Sequence, residues 1–187
     1  VSALTPVVQR LKRESPTSPE TCVARDWHLR AAGTFAEMAG DHHAAARYFA
    51  ERAEHLKAWS SLVPENISLV RDYRVTLHYA SVHSLSGGNR EDALRFAKQS
   101  AEVARQLVEK TDGAEEDRVT YMHELAWMAK CAQALDDEEE LRVVRGKVRE
   151  LRKTFDESSP RFGEVDSLVA FVEQVCQGLS GPMSDNR

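Results

Sequence analysis

The placement of proline constrains this chain more than any other feature, because residues 65–159 contain no proline at all. A β-sandwich or barrel over that length would need a turn signal every ~8–12 residues. The chain has 187 residues, of which 42% are hydrophobic and 29% charged, so it can bury a core as one domain or one compact repeat array. We therefore predict an all-α fold.

The composition also excludes several classes of function. No run of about 18 apolar residues occurs, which predicts that the chain has no membrane span. A net charge of −5 and a pI near 5.8 argue against nucleic-acid binding, which favours strongly basic domains. The three cysteines are widely spaced and form no CxxC pair, so we expect buried thiols in a reducing compartment and hence a cytoplasmic protein.

Short breaks rich in Gly, Asp, Asn, Ser and Pro divide the chain into seven helical segments of roughly 17–22 residues. Before the first segment we expect a leader at 1–20, partly disordered or a short helix, and after the last segment a polar tail at 182–187. The chain begins with Val and lacks a signal-peptide pattern, so we expect it to be part of a larger protein. The breaks lie at residues 40–41, 64–66, 87–89, 111–113, 136–137 and 158–160.

Residues suited to cap helices stand at several of these breaks. A Ser-Pro pair predicts a serine cap with proline in the first helical turn, and an Asn or Asp followed three residues later by an acid has the spacing of a capping box. These pairs support the helical segments. They are Ser18-Pro19, Ser159-Pro160, Asn89 with Asp92, and Asp137 with Glu140.

Shifting the chain against itself by 48 residues aligns residues of similar size, which indicates an internal repeat. The repeat predicts three helix–turn–helix units at 21–63, 66–111 and 115–157, followed by a capping helix at 160–180. The aligned sets are Leu29, Leu77 and Leu125; Ala32, Ala80 and Met128; Gly33, Ser81 and Ala129; Ala36, Ser84 and Ala132; Gly40, Gly88 and Asp136; Asp41, Asn89 and Asp137; and Ala45, Ala93 and Leu141.

The third unit departs from this pattern in its second helix, and the capping helix follows after the last unit. In the third unit Arg145 and Arg149 stand where Ala97 and Ala101 stood, and the apolar face shifts to Val144, Val148 and Leu151. The capping helix carries its own apolar stripe, which we expect to face inward. Its members are Val165, Leu168, Val172, Val175 and Leu179.

The order of large, small and turn residues resembles the tetratricopeptide repeat family. The first unit reads Leu29-x-x-Ala32-Gly33, then Ala39-Gly40-Asp41, Ala45, Phe49 and Ala53; the second reads Leu77-x-x-Ala80-Ser81, then Gly88-Asn89, Ala93, Ala97 and Ala101. The period exceeds the usual ~34 residues, and the proline that closes each unit is present only as Pro64. The longer helices are similar to those of kinesin-light-chain-type or SNAP arrays. The resemblance implies a right-handed α-solenoid of three antiparallel helix pairs with a C-terminal capping helix.

The resemblance also implies that the first helix of each pair lines a concave groove that binds a peptide or a helical segment of a partner. The alternative is that some of these side chains only fill gaps between helices. The carboxylate-clamping members of the family use Asn at positions that here hold Thr34, Val82 and Lys130, so we do not expect that subtype. The predicted groove residues are Trp27, Arg30, Thr34, Glu37, Val75, His78, Val82, His123, Ala126 and Lys130.

The sequence contains no motif that predicts catalysis, a cofactor or a metal site. His78 and His83 are five residues apart, which does not place two ligands on one helix face. His123-Glu124 begins like a zinc-protease motif but lacks the second histidine. We find neither a glycine-rich phosphate loop nor a nucleophile elbow, and we predict that the protein is not an enzyme.

These observations favour a scaffold or adaptor module that recognises another protein. Two alternatives stay open. The array could sense a peptide or small ligand and control an attached effector domain, or its last helix could make it a homo-oligomerisation module.

Overall fold

The computed structural model describes Pro6 and residues 18–178, and these residues form seven α-helices and no β-strand. The all-α prediction is therefore confirmed over the described part of the chain. Most of the predicted leader at 1–20, the tail at 182–187 and Leu179 lie outside the described residues. The helices are α1 (Pro19–Met38), α2 (His42–Leu62), α3 (Ile67–Ser86), α4 (Arg90–Lys110), α5 (Glu115–Ala134), α6 (Glu138–Arg152) and α7 (Phe162–Gln177).

The helices pack in the order of the sequence within two compact units, residues 1–103 and 104–187. In the first unit α2 packs against both α1 and α3. In the second unit α5, α6 and α7 pack against one another. The boundary between the units falls within α4.

The turns at residues 40, 88 and 136 have the same backbone geometry, at the interval that the repeat predicts. Gly40, Gly88 and Asp136 have φ angles of 72°, 83° and 55°. The next residue in each turn donates its N–H to the carbonyl five residues earlier, at 2.8–3.0 Å, which satisfies the end of the preceding helix. The donors are Asp41, Asn89 and Asp137, and the acceptors are Ala36, Ser84 and Ala132.

The same three residues, Asp41, Asn89 and Asp137, also cap the helices that follow. Each side chain accepts a hydrogen bond from the backbone N–H three residues later, at 2.9–3.2 Å. Ser18 does the same for α1, accepting from the N–H of Thr21 at 3.2 Å. Each cap satisfies an N–H group that the first helical turn leaves without a partner.

The aligned apolar positions lie in the interior. Leu29, Leu77 and Leu125 are at most 4% exposed, and Ala45, Ala93 and Leu141 at most 3%. In the small-residue positions before the turn only Ala36 is half-buried. The repeat therefore encodes equivalent buried positions, and burial of this apolar surface supplies most of the stabilisation of such helices.

In the second unit, α7 packs its apolar stripe against the preceding helices. Val165, Val172 and Val175 are buried, and Val119, Met122 and Phe155 form one core cluster with Val165. Within α6, Val144 and Val148 are buried, as the shifted apolar face of the third copy predicts.

The start of α7 differs from the prediction of a helix from 160. Ser159 accepts a hydrogen bond from the N–H of Arg161 at 3.1 Å, and its hydroxyl also contacts Glu115. These contacts hold residues 159–161 in a turn, so α7 begins two residues later, at Phe162. Among the helices of residues 18–178, none combines the length and the apolar content that crossing a membrane would require.

Candidate functional site

The surface of α1 carries a stripe of exposed apolar side chains. Val23, Trp27 and Met38 are 43%, 64% and 77% exposed, and Arg30 and Thr34 lie between them on the same helix face. The opposite face is occupied by the buried Cys22, Leu29, Ala32 and Gly33, which the helix needs for its packing. The stripe is therefore left to solvent by the way that α1 docks in its unit.

A cleft of about 250 Å³ lies beside this stripe, within the first unit. Its walls come from the first half of α1, the end of α2 and the start of α3. Two of its residues are tryptophans and two are aspartates. The lining residues are Val23, Asp26, Trp27, Trp59, Asn66, Ser68, Leu69 and Asp72.

The two carboxylates of the cleft are in different environments. Asp26 is bound by the guanidinium of the buried Arg52, whose Nε and Nη2 donate to its two oxygens at 2.7 and 3.2 Å. Arg52 Nη1 also donates to the hydroxyl of Thr76 at 2.7 Å, so one side chain of α2 links α1 to α3. Asp72 is exposed and makes no hydrogen bond or ion pair with any described residue.

At the other end of the unit, a stack of rings surrounds the buried His83. His83 lies between Phe49 and His42, with ring centroids at 5.5 and 5.4 Å, and its Nδ1 is 3.2 Å from Nδ1 of His42. Its Nε2 has no hydrogen-bond partner among the described residues, and the nearest carboxylate oxygen of Glu37 is 3.6 Å away. Burial lowers the pKa of His83 below its usual 6.5, against the opposing effect of Glu37.

A second histidine of this unit, His55, is also buried. His55 is 6% exposed, and its Nε2 is 2.9 Å from the carbonyl oxygen of Cys22. Burial lowers its pKa, although the hydrogen bond to that carbonyl opposes the shift. His55 also packs its ring against Trp59, at 5.9 Å between centroids, and so supports one wall of the cleft.

The predicted groove residues of the first unit have different degrees of exposure. On α1 the four predicted side chains are all exposed, and Trp27 enters the cleft. On α3 the three predicted side chains are half-buried, and His78 meets the ring of Tyr79 edge-on. The residues in question are Trp27, Arg30, Thr34 and Glu37 on α1, and Val75, His78 and Val82 on α3.

The three predicted residues of α5 belong to the second unit, where neighbouring side chains engage two of them. His123 is exposed, and its Nε2 lies 2.7 Å from a carboxylate oxygen of Glu164 on α7. Lys130 places its ammonium group 5.2 Å from the centre of the Trp127 ring. Ala126 is only 5% exposed.

The sequence pattern did not predict Asp26, Trp59 and Asp72, which line the cleft together with Trp27. Asp26 and Trp59 lie outside the positions that the family pattern assigns to the groove, and Trp59 is on the second helix of its pair. The sequence does contain one indication of the ion pair beside the cleft. The repeat aligns Arg52 with Ser100 and Val148, and all three are buried. A charged residue at a buried repeat position needs a partner, which here is Asp26.

Within the described part of the chain, no group of three or more His, Cys, Asp or Glu side chains is arranged to hold a metal ion. No protein-family model matches this chain, and no curated protein matches it either.

Proposed function

We propose that this chain is a protein-recognition module that binds an extended or helical peptide segment of a partner along the exposed face of α1. The observation that carries the proposal is the stripe of Val23, Trp27 and Met38, flanked by the 58% exposed Phe35. Exposed Trp, Met and Arg side chains along one helix face have the composition of interaction sites, in which these residue types are enriched.

The chemistry of the stripe suits a peptide. Trp27 offers a large rigid apolar surface, and the neighbouring Arg30 and Thr34 offer hydrogen-bond donors for backbone carbonyls. Because α1 is a regular helix fixed by its buried face, the backbone that carries these side chains is ordered before a partner arrives, which lowers the ordering cost of binding.

The proposed architecture is a tetratricopeptide-like right-handed solenoid of the long-helix variety, as one segment of a larger cytoplasmic protein. Its support is the sequential packing of the helices and the recurrence of one turn geometry at residues 40, 88 and 136. Helices that are joined by such short turns and pack together run antiparallel. The three cysteines are free thiols, which suits a reducing compartment.

The observations favour this role over the oligomerisation module. That alternative needs the apolar stripe of α7 to be available to a second chain, yet Val165, Val172 and Val175 are buried within their own unit. Buried in this way, α7 acts as a cap over the helix pair before it. A sensor that controls an effector domain would use the same face of α1, with a peptide as its signal.

A random-peptide display selection tests the proposal. We expect wild-type protein to enrich peptides whose affinity falls by about thirtyfold in Trp27→Ala, as for a binding hot spot. The control is Phe171→Ala, which removes an exposed aromatic side chain from α7 and should leave affinity unchanged. The proposal fails if no peptide is enriched, or if the enriched peptides bind Trp27→Ala as tightly as wild type. Circular dichroism of both variants shows whether the fold is intact.

A further inference from the structure

The cleft beside α1 has the size and the lining of a site for a single side chain. Its volume of about 250 Å³ is below the ≈ 300–1,000 Å³ of pockets that enclose drug-sized ligands. Two indole rings and the buried Leu69 supply apolar contact, and Asp26 and Asp72 supply negative charge. No lysine or arginine is among the described residues that line it.

We infer that this cleft receives an arginine side chain of the partner, with the guanidinium beside Trp27 and Trp59 and against the carboxylate of Asp72. The inference rests on the proposed function and names the chemistry of the residue that anchors the partner. Indole rings attract guanidinium groups through their negatively polarised faces, and a carboxylate pairs with a guanidinium through two parallel hydrogen bonds.

The charge balance of the cleft favours a cation over the alternatives. Arg52 already neutralises Asp26, whereas the carboxylate of Asp72 has no counter-charge among the described residues. An acidic side chain in the cleft would be repelled by Asp72, and an apolar one would strip water from that carboxylate and offer no hydrogen bond in return. An arginine satisfies Asp72 and buries its aliphatic stem against the tryptophans.

The pair of Asp26 and Arg52 gives the cleft a firm wall. The guanidinium of Arg52 is bound by both oxygens of Asp26 and by Thr76, and its side chain is only 7% exposed. This arrangement joins the helices that carry Trp27 and Asp72, so the backbone positions of these two residues are set relative to each other before the arginine binds. This order in the backbone reduces the entropy lost on binding.

The test uses the indole N–H signals of the three tryptophans in the full chain as local reporters, because Trp27 and Trp59 line the cleft whereas Trp127 belongs to the second unit. The probe is the capped peptide acetyl-Gly-Ser-Arg-Ser-Gly-amide, and the matched probe replaces arginine by the neutral isostere citrulline. We expect the arginine peptide to shift the Trp27 and Trp59 signals saturably and to leave that of Trp127 unmoved. The citrulline peptide should bind about tenfold more weakly.

Charge-matched variants complete the experiment. Asp72→Asn should weaken the arginine peptide by about tenfold, whereas Glu51→Gln, an exposed residue of α2 outside the cleft, should leave its affinity unchanged. Absent shifts, equal binding of the citrulline peptide, or full affinity in Asp72→Asn would each overturn the inference. If the selected peptides need Trp27 but contain no basic residue, the arginine inference is wrong and the proposed function stands. If the selection enriches no peptide, the proposed function itself is wrong.

Discussion

The interhelical ion pairs of Arg52 in the first unit and of Glu173 in the second unit differ in how deeply they are buried. In residues 18–103 a guanidinium is buried, with the side chains of Arg52 and Asp26 only 7% and 17% exposed. In residues 104–178 Arg145 and Arg149 of α6 both bind Glu173 of α7 near the surface, and the two arginine side chains are 40% and 54% exposed. The pair of Arg52 and Asp26 lies inside the packing of its unit, whereas the pairs of Glu173 lie near the surface of theirs.

This difference separates an ion pair on which the stability of the fold depends from ion pairs that contribute little to it. A buried charge that loses its partner is left unsolvated, so its removal is costly. An exposed pair is screened by water and salt, and either partner can return to solvent at little cost. The two sites should therefore respond very differently to the same kind of substitution.

The largest effect that we predict comes from Arg52→Met. It leaves the partly buried Asp26 and the hydroxyl of Thr76 without their donor, and it should lower the free energy of unfolding by about 3–5 kcal/mol. Arg149→Met in the second unit removes the same charge from an exposed pair and should cost less than about 1 kcal/mol. Urea unfolding of both variants measures the contrast, and equal losses would contradict the distinction between the buried pair and the exposed pair.

A glycine-to-alanine pair gives the next largest contrast. A Cβ on Gly33 would lie 3.0 Å from the ring of Phe49, whereas a Cβ on Gly146 of α6 would meet nothing within 4 Å. Gly33→Ala should therefore lose up to about 2 kcal/mol net, because overpacking of ~1–3 kcal/mol outweighs the helix-propensity gain of about 1 kcal/mol.

Gly146→Ala is the matched control, and it should stabilise the protein by about 0.8–1 kcal/mol. Thermal unfolding measures both variants. A stabilised Gly33→Ala would mean that the Phe49 ring moves aside freely. The repeat shows that Gly33 is the unusual position: Ser81 and Ala129, at the equivalent positions, already carry a Cβ and are fully buried.

Mild acid should distinguish the units by their histidines and carboxylates. The pKa values of His55 and His83 are lowered by burial, so below pH 6.5 the unfolded chain binds protons that the folded unit resists, and the first unit loses stability. Hydrogen bonds from Arg145 and from Arg161 hold the pKa values of Glu173 and Glu164 below 4.5. Their contribution is complete above pH 4.5 and is lost as the pH falls through their folded values.

Between pH 7.5 and 5.5 we therefore expect faster amide exchange, after correction for the intrinsic rate, in α2 and α3 but not in α6 and α7. His83→Gln should reduce this pH dependence, because its folded and unfolded states then bind the same protons at this position. His43→Gln, which changes an exposed histidine on the same helix as His42, is the control. A loss of protection spread equally over both units would contradict the assignment to His55 and His83.

Much of the fold could be predicted from the sequence, because helix starts, turns and buried repeat positions are local or periodic signals. The caps at Ser18, Asn89 and Asp137 and the buried leucines at the 48-residue interval follow from such signals. The start of α7 did not follow, because Ser159 makes its hydrogen bonds to Arg161 and to Glu115, and the contact with Glu115 depends on tertiary structure.

The cleft could be predicted only in part. The sequence picked out Trp27, but Trp59 and Asp72 become its neighbours only when the second and third helices fold back on the first. The contact between His42 and His83 arises in the same way, from residues 41 positions apart. Periodicity along one helix does not tell which residues of another helix will lie beside it. In this cleft, the residues brought together from different helices decide the chemistry of the site.

The turns at residues 40, 88 and 136 share one backbone geometry although their residue types differ, so we expect them to be interchangeable. Gly40 and Gly88 reach the left-handed conformation without a side chain, and Asp136 reaches it with one, yet the backbone hydrogen bond across all three joints is the same. A chimera that joins the first helix of one repeat copy to the second helix of another therefore keeps the same turn geometry. Whether such a chimera folds would be decided by the side chains packed between its two helices. Whole helices could in this way be exchanged between repeat copies at the turns.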